Sequence, residues 1–314
     1  CSSDLPPPSC FLTFLSACEP PSRVFQWENT MLKTRRGDAF WLVTQPDHAA
    51  LAGLLAAHWG NAEFARPGAF AASPDEERLR REVVLAVAEH DNGWWEWEAS
   101  PQEGEDGLPQ GLEEVLGHPS EGMQRWKLGV RRLAERHPYA SLLIGDHAAW
   151  LYAAQFEDDF PQELVHPIQR ERKTYPPEMR ALAADFLQEI RALQSELEQR
   201  LSQEPWGRLA LQQRLPHSRL LQILDAVSLA MGSALLGPRG LGRDPLTFTD
   251  VPRTRWEERG DLKLIPGSEG QLVLDPYPFD KPLEVTVVAR PVKPGQWWRQ
   301  VAPELLRFRL DPPG

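Results

Sequence analysis

Apolar residues at three- and four-residue steps mark helices over most of this chain, and short alternating runs near its C-terminus mark strands. In 46–59, Leu51, Leu54 and Leu55 fall at helical steps from His48, so the histidine shares their face and points inward. Gly60 stops that helix. The next opens with the best-signed start in the chain. Ser73 and Glu76 make a capping-box pattern, Pro74 suits the first helical position, and Asp75, Glu76 and Glu77 favour the positive end of the dipole. Its apolar run, 83–88, is continuous, which predicts burial on most sides as the helix reaches His90-Asp91, where Asn92-Gly93 ends it. Periodicity predicts further helices over 120–136, 139–156, 177–203 and 217–235. Beyond Gly237-Pro238 the texture changes to Gly- and Pro-rich loops with short strands at 262–265, 272–274, 283–289 and 305–310. The fold class expected is mainly α: a helical bundle with a small C-terminal β region packed on it.

Composition narrows the setting. With 314 residues, 41% hydrophobic and 25% charged, the chain can bury one sizeable core, alone or with an appended module. A formal charge of -11 sets its long-range field against polyanions, so neither nucleic acid nor an anionic membrane is expected as partner. A small molecule is. No apolar stretch approaches the roughly 20 residues that span a bilayer. All three cysteines (Cys1, Cys10, Cys18) precede Met31, so the body of the chain has no thiolate ligand or disulfide, which argues for a reducing, cytoplasmic setting. Residues 1–30 show no periodicity and carry Pro6 to Pro8; they read as a disordered or spurious extension. Leu15-Ser16-Ala17-Cys18 looks like a lipoprotein cleavage box, but the apolar run before it is short and has no basic residue ahead of it. The division expected is therefore 1–30, a helical domain over 31–236, and a strand-containing region over 237–314.

The chemistry concentrates in four residues on the predicted helices: His48, His90, Asp91 and Asp225. Imidazole nitrogen and carboxylate oxygen suit Mn, Fe, Zn, Co, Ni or Mg and leave positions open for water, the arrangement of a catalytic metal site. Consecutive helical residues diverge by about 100°, so His90 and Asp91 can converge on one ion only at a helix end that borders a cavity. Each residue also has a plainer reading. His48 alone would be a hydrogen-bonded core histidine, His90-Asp91 a chance dipeptide, and Asp225 a salt bridge to Arg214 or Arg219. The order His, His-Asp, Asp on apolar helices favours the metal.

That order resembles the ligand pattern of the HD superfamily, helical metal-dependent phosphohydrolases. More closely, Gln45-Pro46-Asp47-His48-Ala49, His90-Asp91-Asn92-Gly93-Trp94 and the 221–229 segment around Asp225 look like an uncharacterised bacterial family, domain of unknown function 3891. The resemblance implies an HD-like helical bundle and hydrolysis of a small phosphorylated substrate by metal-activated water, with Asp91 as the catalytic carboxylate. A non-catalytic ligand-sensing or scaffold protein is the alternative, and an iron-dependent oxygenase a lesser one. Some HD enzymes hold a second metal with additional histidines, and His147, in an apolar helix, is the candidate for that role or for a phosphate contact. His118 precedes a helix and is weaker; His58, His137, His166 and His217 show no comparable context. Trp94, Trp95 and Trp97 read either as one wall of a substrate pocket or as a cap on the core. Arg125, Lys127, Arg131 and Arg132 offer a basic helix face, either a solvated surface or a phosphate clamp.

Overall fold

The computed structural model describes residues 31–104, 106–109, 119–169, 174–236, 245–268 and 270–314. The N-terminal extension and His118 lie outside the described residues. The chain opens with a hairpin, β1 (Leu32–Arg36) and β2 (Ala39–Val43), turning at Gly37. Among the described residues eight α-helices follow: α1 (Gln45–His58), α2 (Glu76–Ala88), α3 (Trp95–Ala99), α4 (Pro119–Ala134), α5 (Pro138–Phe156), α6 (Pro177–Ser202), α7 (Pro205–Gln212) and α8 (Arg214–Leu236). Five strands complete it: β3 (Leu246–Pro252), β4 (Arg259–Pro266), β5 (Gln271–Asp275), β6 (Leu283–Val292) and β7 (Glu304–Asp311).

The seven strands form one mixed sheet in the order β1-β2-β6-β7-β5-β4-β3. Only β5 and β7 run parallel; the other neighbours are antiparallel. This overturns the expected mainly α, HD-like bundle with a small β region, because about half of the chain is helical and a curled seven-stranded sheet forms a second layer. The sheet was underestimated at both ends. β1 and β2 carry Lys33, Arg35 and Arg36 among too few apolar residues to show alternation, and β2 finds its partner far along the chain, pairing Phe40 with Val292. In β3 the register shifts between Phe248 and Val251, and Asp250 sits at φ 56, which breaks the period-two pattern.

Local chemistry explains most helix boundaries. In α1 the Thr44 hydroxyl accepts from the Asp47 N–H at 3.1 Å and donates to the Asp47 carboxylate at 2.7 Å. The expected capping box of α2 does not form. Ser73 accepts instead from the Asp75 N–H at 3.0 Å, and the helix starts at Glu76 without a side-chain cap. Nor is α2 buried on most sides: Leu79, Val83, Ala86 and Val87 form the buried stripe, while Val84 and Leu85 are half-buried. The helices surrounded by protein are α5, in which every residue from 138 to 149 is buried, and α8, in which every residue from 216 to 232 is.

Layers meet through small residues and buried polar ties. A Cβ at Gly53 of α1 would lie 2.4 Å from the Ala88 Cβ, so glycine lets α1 and α2 cross closely there. Asp146 of α5 accepts from Arg214 Nε (2.8 Å) and Nη2 (2.6 Å), Ser218 (2.6 Å) and Gln194 (2.8 Å), tying α5 to α6 and α8. Arg219 of α8, only 1% exposed, donates to the carbonyls of Val165 and Thr249 at 2.9 Å and to the Gln222 side chain at 2.9 Å. Gln222 donates in turn to the Leu164 carbonyl at 3.1 Å. Arg214 and Arg219 are therefore both engaged away from Asp225. Among the described residues no helix is long and apolar enough to cross a membrane.

Two stability predictions follow from these ties. Arg219→Met strands several buried carbonyls and should lower the unfolding free energy by about 3 kcal/mol in a denaturant titration. His217, buried between α8 and α5, accepts from the Gly68 N–H at 2.9 Å through Nε2 and contacts the Tyr139 hydroxyl at 2.7 Å through Nδ1. Burial lowers its pKa to about 3. The unfolded chain therefore binds a proton that the folded one refuses, so this contribution is full above pH 6.5 and fades as pH falls toward 3. Between pH 6 and 4, wild-type stability should fall more steeply than that of His217→Asn, by up to about 1.4 kcal/mol per pH unit.

Candidate metal centre

Six ionisable side chains meet inside the helical layer, where apolar neighbours would otherwise exclude charge. His48 comes from α1, His90 and Asp91 from the turn closing α2, His147 from α5, His166 from the loop after α5, and Asp225 from α8. All are buried; none exceeds the 6% exposure of Asp91. Because α2 ends at Ala88, His90 and Asp91 leave helical geometry and can face one centre despite being adjacent. The turn is held by Gly93, where a Cβ would lie 2.0 Å from the Arg125 carbonyl oxygen; only glycine lets α4 approach so closely.

The hydrogen bonds fix which nitrogen faces inward. Ser228 donates to the Asp225 carbonyl at 2.8 Å, so its oxygen accepts from His48 Nδ1 at 3.0 Å. That turns the His48 Nε2 lone pair toward Asp91 Oδ2 at 2.8 Å, with Gln45 Oε1 at 2.5 Å. His90 Nδ1 donates to the Val87 carbonyl at 2.7 Å, and its Nε2 faces Asp91 Oδ2 at 3.3 Å and Asp225 Oδ1 at 3.4 Å. A histidine that donates one N–H to protein and aims the other nitrogen at carboxylates is oriented as a metal ligand.

Asp225 joins the two halves of the cluster. Its Oδ1 lies 3.8 Å from His48 Nδ1, while Oδ2 lies 3.5 Å from His147 Nε2 and 2.9 Å from His166 Nε2. His90 Nε2, His166 Nε2 and Asp225 Oδ1 are nonetheless left without a hydrogen bond. These atoms are close enough to attract and out of line for bonding to each other, which is how donors around a shared cation lie. Two triads, His48-His90-Asp225 and His147-His166-Asp225, each bring their ligand atoms within 4.8 Å of one another. The second is less preset: His147 Nδ1 has no partner, and His166 Nδ1 has only a long 3.4 Å contact from the Ile168 N–H.

Electrostatics follow the same division. Burial pulls the His90 pKa down, but the Asp91 and Asp225 carboxylates overcome it and hold it well above the usual histidine value. Burial works against ionised Asp91 and Asp225 too, yet the facing histidines, His90 foremost, keep both carboxylates below their usual range. Burial dominates at His147 and lowers its pKa to about 3, which suits a neutral ligand. The two carboxylates thus draw positive charge into the centre, and a proton on His90 supplies it when no ion is bound.

His48, His90, Asp91, Asp225 and His147 are all brought together. His166 is a ligand candidate that the chain pattern did not disclose, since it lies in an irregular segment without periodicity. Trp94 and Trp97 group with Arg125 of α4. Trp94 is buried, Trp97 half-buried and Trp95 exposed, and the Arg125 guanidinium lies 4.7 Å from the ring centres of both Trp94 and Trp97. The ring packed on His147 is Trp126, at 5.3 Å. The basic face of α4 is largely paired, Lys127 with Glu189 at 2.6 Å and Arg132 with Glu96 at 2.5 Å. Two open clefts, of about 880 Å³ beside Trp41 and Trp297 and about 420 Å³ beside Arg78 and His137, lie away from the cluster.

These features define a protein with a buried histidine-carboxylate centre in which two groups of side chains sharing Asp225 have the spacing to hold a metal ion. Residues 31–294 match the family described as a protein of unknown function, DUF3891, and the chain belongs to that family. No curated protein and no solved structure matches the chain.

The two triads should separate in a metal titration. His90→Ala and Asp225→Ala should abolish tight binding of added Mn or Co, whereas His147→Ala and His166→Ala should keep about one equivalent and lose the second. Equal loss in all four variants, measured by elemental analysis after gel filtration, would show that the triads do not act separately.

Proposed function

We propose that this protein is a metal-dependent hydrolase acting on a small phosphorylated molecule. The observation that carries the reading is the convergence of six buried histidine and aspartate side chains, of which His90 Nε2, His166 Nε2 and Asp225 Oδ1 face inward without a hydrogen-bond partner. The order His48, His90-Asp91, Asp225 also resembles the ligand order of the HD phosphohydrolases. Four imidazoles with two carboxylates favour Mn, Fe, Co, Ni or Zn over Mg, which prefers all-oxygen surroundings. A bound divalent ion supplies Lewis acidity and a water of lowered pKa.

The chain's own residues do the rest. Ser228 orients His48, and the Val87 carbonyl orients His90. Asp225 would be shared between the triads. Asp91 is positioned to orient a nucleophilic water and accept its proton. The small exposure left in the cluster lies mainly on Asp91 and Asp225, so a substrate would approach from the carboxylate side. A 2-His-1-carboxylate set is equally the ligand group of oxygen-activating non-haem iron. Oxidation is therefore the second reading, favoured by the composition of each triad.

The test begins with protein purified without a metal-binding tag and loaded with Mn, Fe, Co or Zn. Metal-loaded protein should release phosphate from phosphomonoesters or nucleotides, and Asp91→Asn should lower turnover by about 10²–10⁴-fold. Fully loaded, folded protein without any such turnover would sink the hydrolase reading. Oxygen uptake by the iron form, with none by the zinc form, would put oxidation in its place.

A further inference from the structure

Beside the metal centre lies a second group of unpartnered polar atoms that the metal reading does not use. Asn92 directly follows Asp91, is 1% exposed, and has hydrogen bonds to neither its amide oxygen nor its amide nitrogen. Its Oδ1 would lie 3.0 Å from a Cβ on Gly129 of α4. One turn earlier on the same face of α4 stands Arg125. Its Nη2 donates to Glu121 at 2.9 Å, while its Nη1 is buried and unpartnered. The guanidinium is held by the rings of Trp94 and Trp97, and Trp97 Nε1 is a third buried donor without an acceptor. Three donors, Asn92 Nδ2, Arg125 Nη1 and Trp97 Nε1, are therefore unused where residues 92–97 meet α4, against a single unused acceptor, Asn92 Oδ1.

The same junction is linked to the metal centre. Glu98 accepts from the Gln45 N–H at 2.9 and 3.1 Å, and the Gln45 side chain contacts His48. Glu98 is buried and reaches the N-terminus of α1 through these bonds. Such buried donors are costly unless a ligand or water meets them.

We propose that Asn92, Trp97 and Arg125 form an oxyanion subsite, which holds the phosphate or carboxylate head of the substrate beside the metal centre. The orienting role rests on the proposed metal chemistry; the binding itself does not. A guanidinium held by two aromatic faces is pre-ordered for such a group, and an acceptor-rich head satisfies all three donors at once.

The test is calorimetric titration of the full chain with inorganic phosphate and, separately, with succinate, in metal-free and metal-loaded protein. At least one anion should bind saturably, and Arg125→Gln should weaken it roughly 10- to 100-fold, the loss of a charged hydrogen bond. Arg131→Gln, on the exposed side of α4, should change binding less than about twofold. Trp97→Phe keeps the ring and removes only the N–H, so weakened binding in that variant decides the matter if Arg125→Gln does not fold. Tighter phosphate or tighter succinate names the head group. No saturable binding of either anion, or undiminished binding in Arg125→Gln and Trp97→Phe, overturns the subsite. Elemental analysis of the same samples separates the two readings: metal without anion binding sinks the subsite alone, and Arg125-dependent binding without metal sinks the metal centre alone.

Discussion

The rest of the structure depends on the burial of Asp225. A carboxylate 4% exposed in the middle of an apolar helix would be strongly unfavourable without compensation, and here four histidines surround it. Those histidines reach it from four separate places in the chain. Each must arrive with its inward nitrogen correctly turned, so the constraint extends to Ser228 and Val87, which set the rings of His48 and His90. It also reaches the helix boundaries: α2 must stop before His90, and Gly93 must let α4 press against the resulting turn.

The sheet acquires its purpose from the same constraint. Leu32 of β1 lies against Gly232 of α8, and Phe248 and Val251 of β3 join the core shared with that helix. Arg219, six residues before Asp225, binds carbonyls in both β3 and the loop that carries His166. One buried arginine thus sets the sheet against α8 and fixes the approach of a candidate ligand. Burial lowers the Arg219 pKa only to about 10, so the guanidinium keeps its charge near neutrality and the carbonyl anchors remain charge-assisted.

How legible these features are in the chain follows from where periodicity exists. His48, His147 and Asp225 lie on helices with strong apolar patterns, and His90-Asp91 lies just past one, so their inward placement could be read. His166 could not: residues 157–169 have no lasting period, and the histidine is positioned by Arg219 and Gln222, which contact the backbone at Val165 and Leu164. The only available signal was its place between Val165 and Pro167 in a segment with apolar residues of its own. β1 and β2 escaped for a different reason. Among the described residues β1 pairs only with β2 in a short hairpin, β2 takes its other partner from β6, and nothing local announces Val292 opposite Phe40. Ser73 illustrates the limit of motif reading, since the residue that should have capped α2 made a shorter-range turn instead.

The two triads around Asp225 also differ in a way that bears on how such a centre could work. In the first, His90 is fixed through its outer nitrogen by a 2.7 Å bond to Val87, and His48 by Ser228, so both rings are set before any ion arrives. In the second, His147 has no outer hydrogen bond and His166 sits on a loop. Were ions held as proposed, preorganisation would favour tighter binding at the first position, while the second would require its ligands to settle on binding. Asp225 couples the two, because drawing one carboxylate oxygen toward an ion changes the charge felt by the other. An ion at the first position therefore partly neutralises the carboxylate that the second would use, and the looser triad would bind more weakly for electrostatic as well as geometric reasons. The weaker position is the one better suited to exchange, and Asp225 is the residue through which its occupancy would be felt at the stronger one.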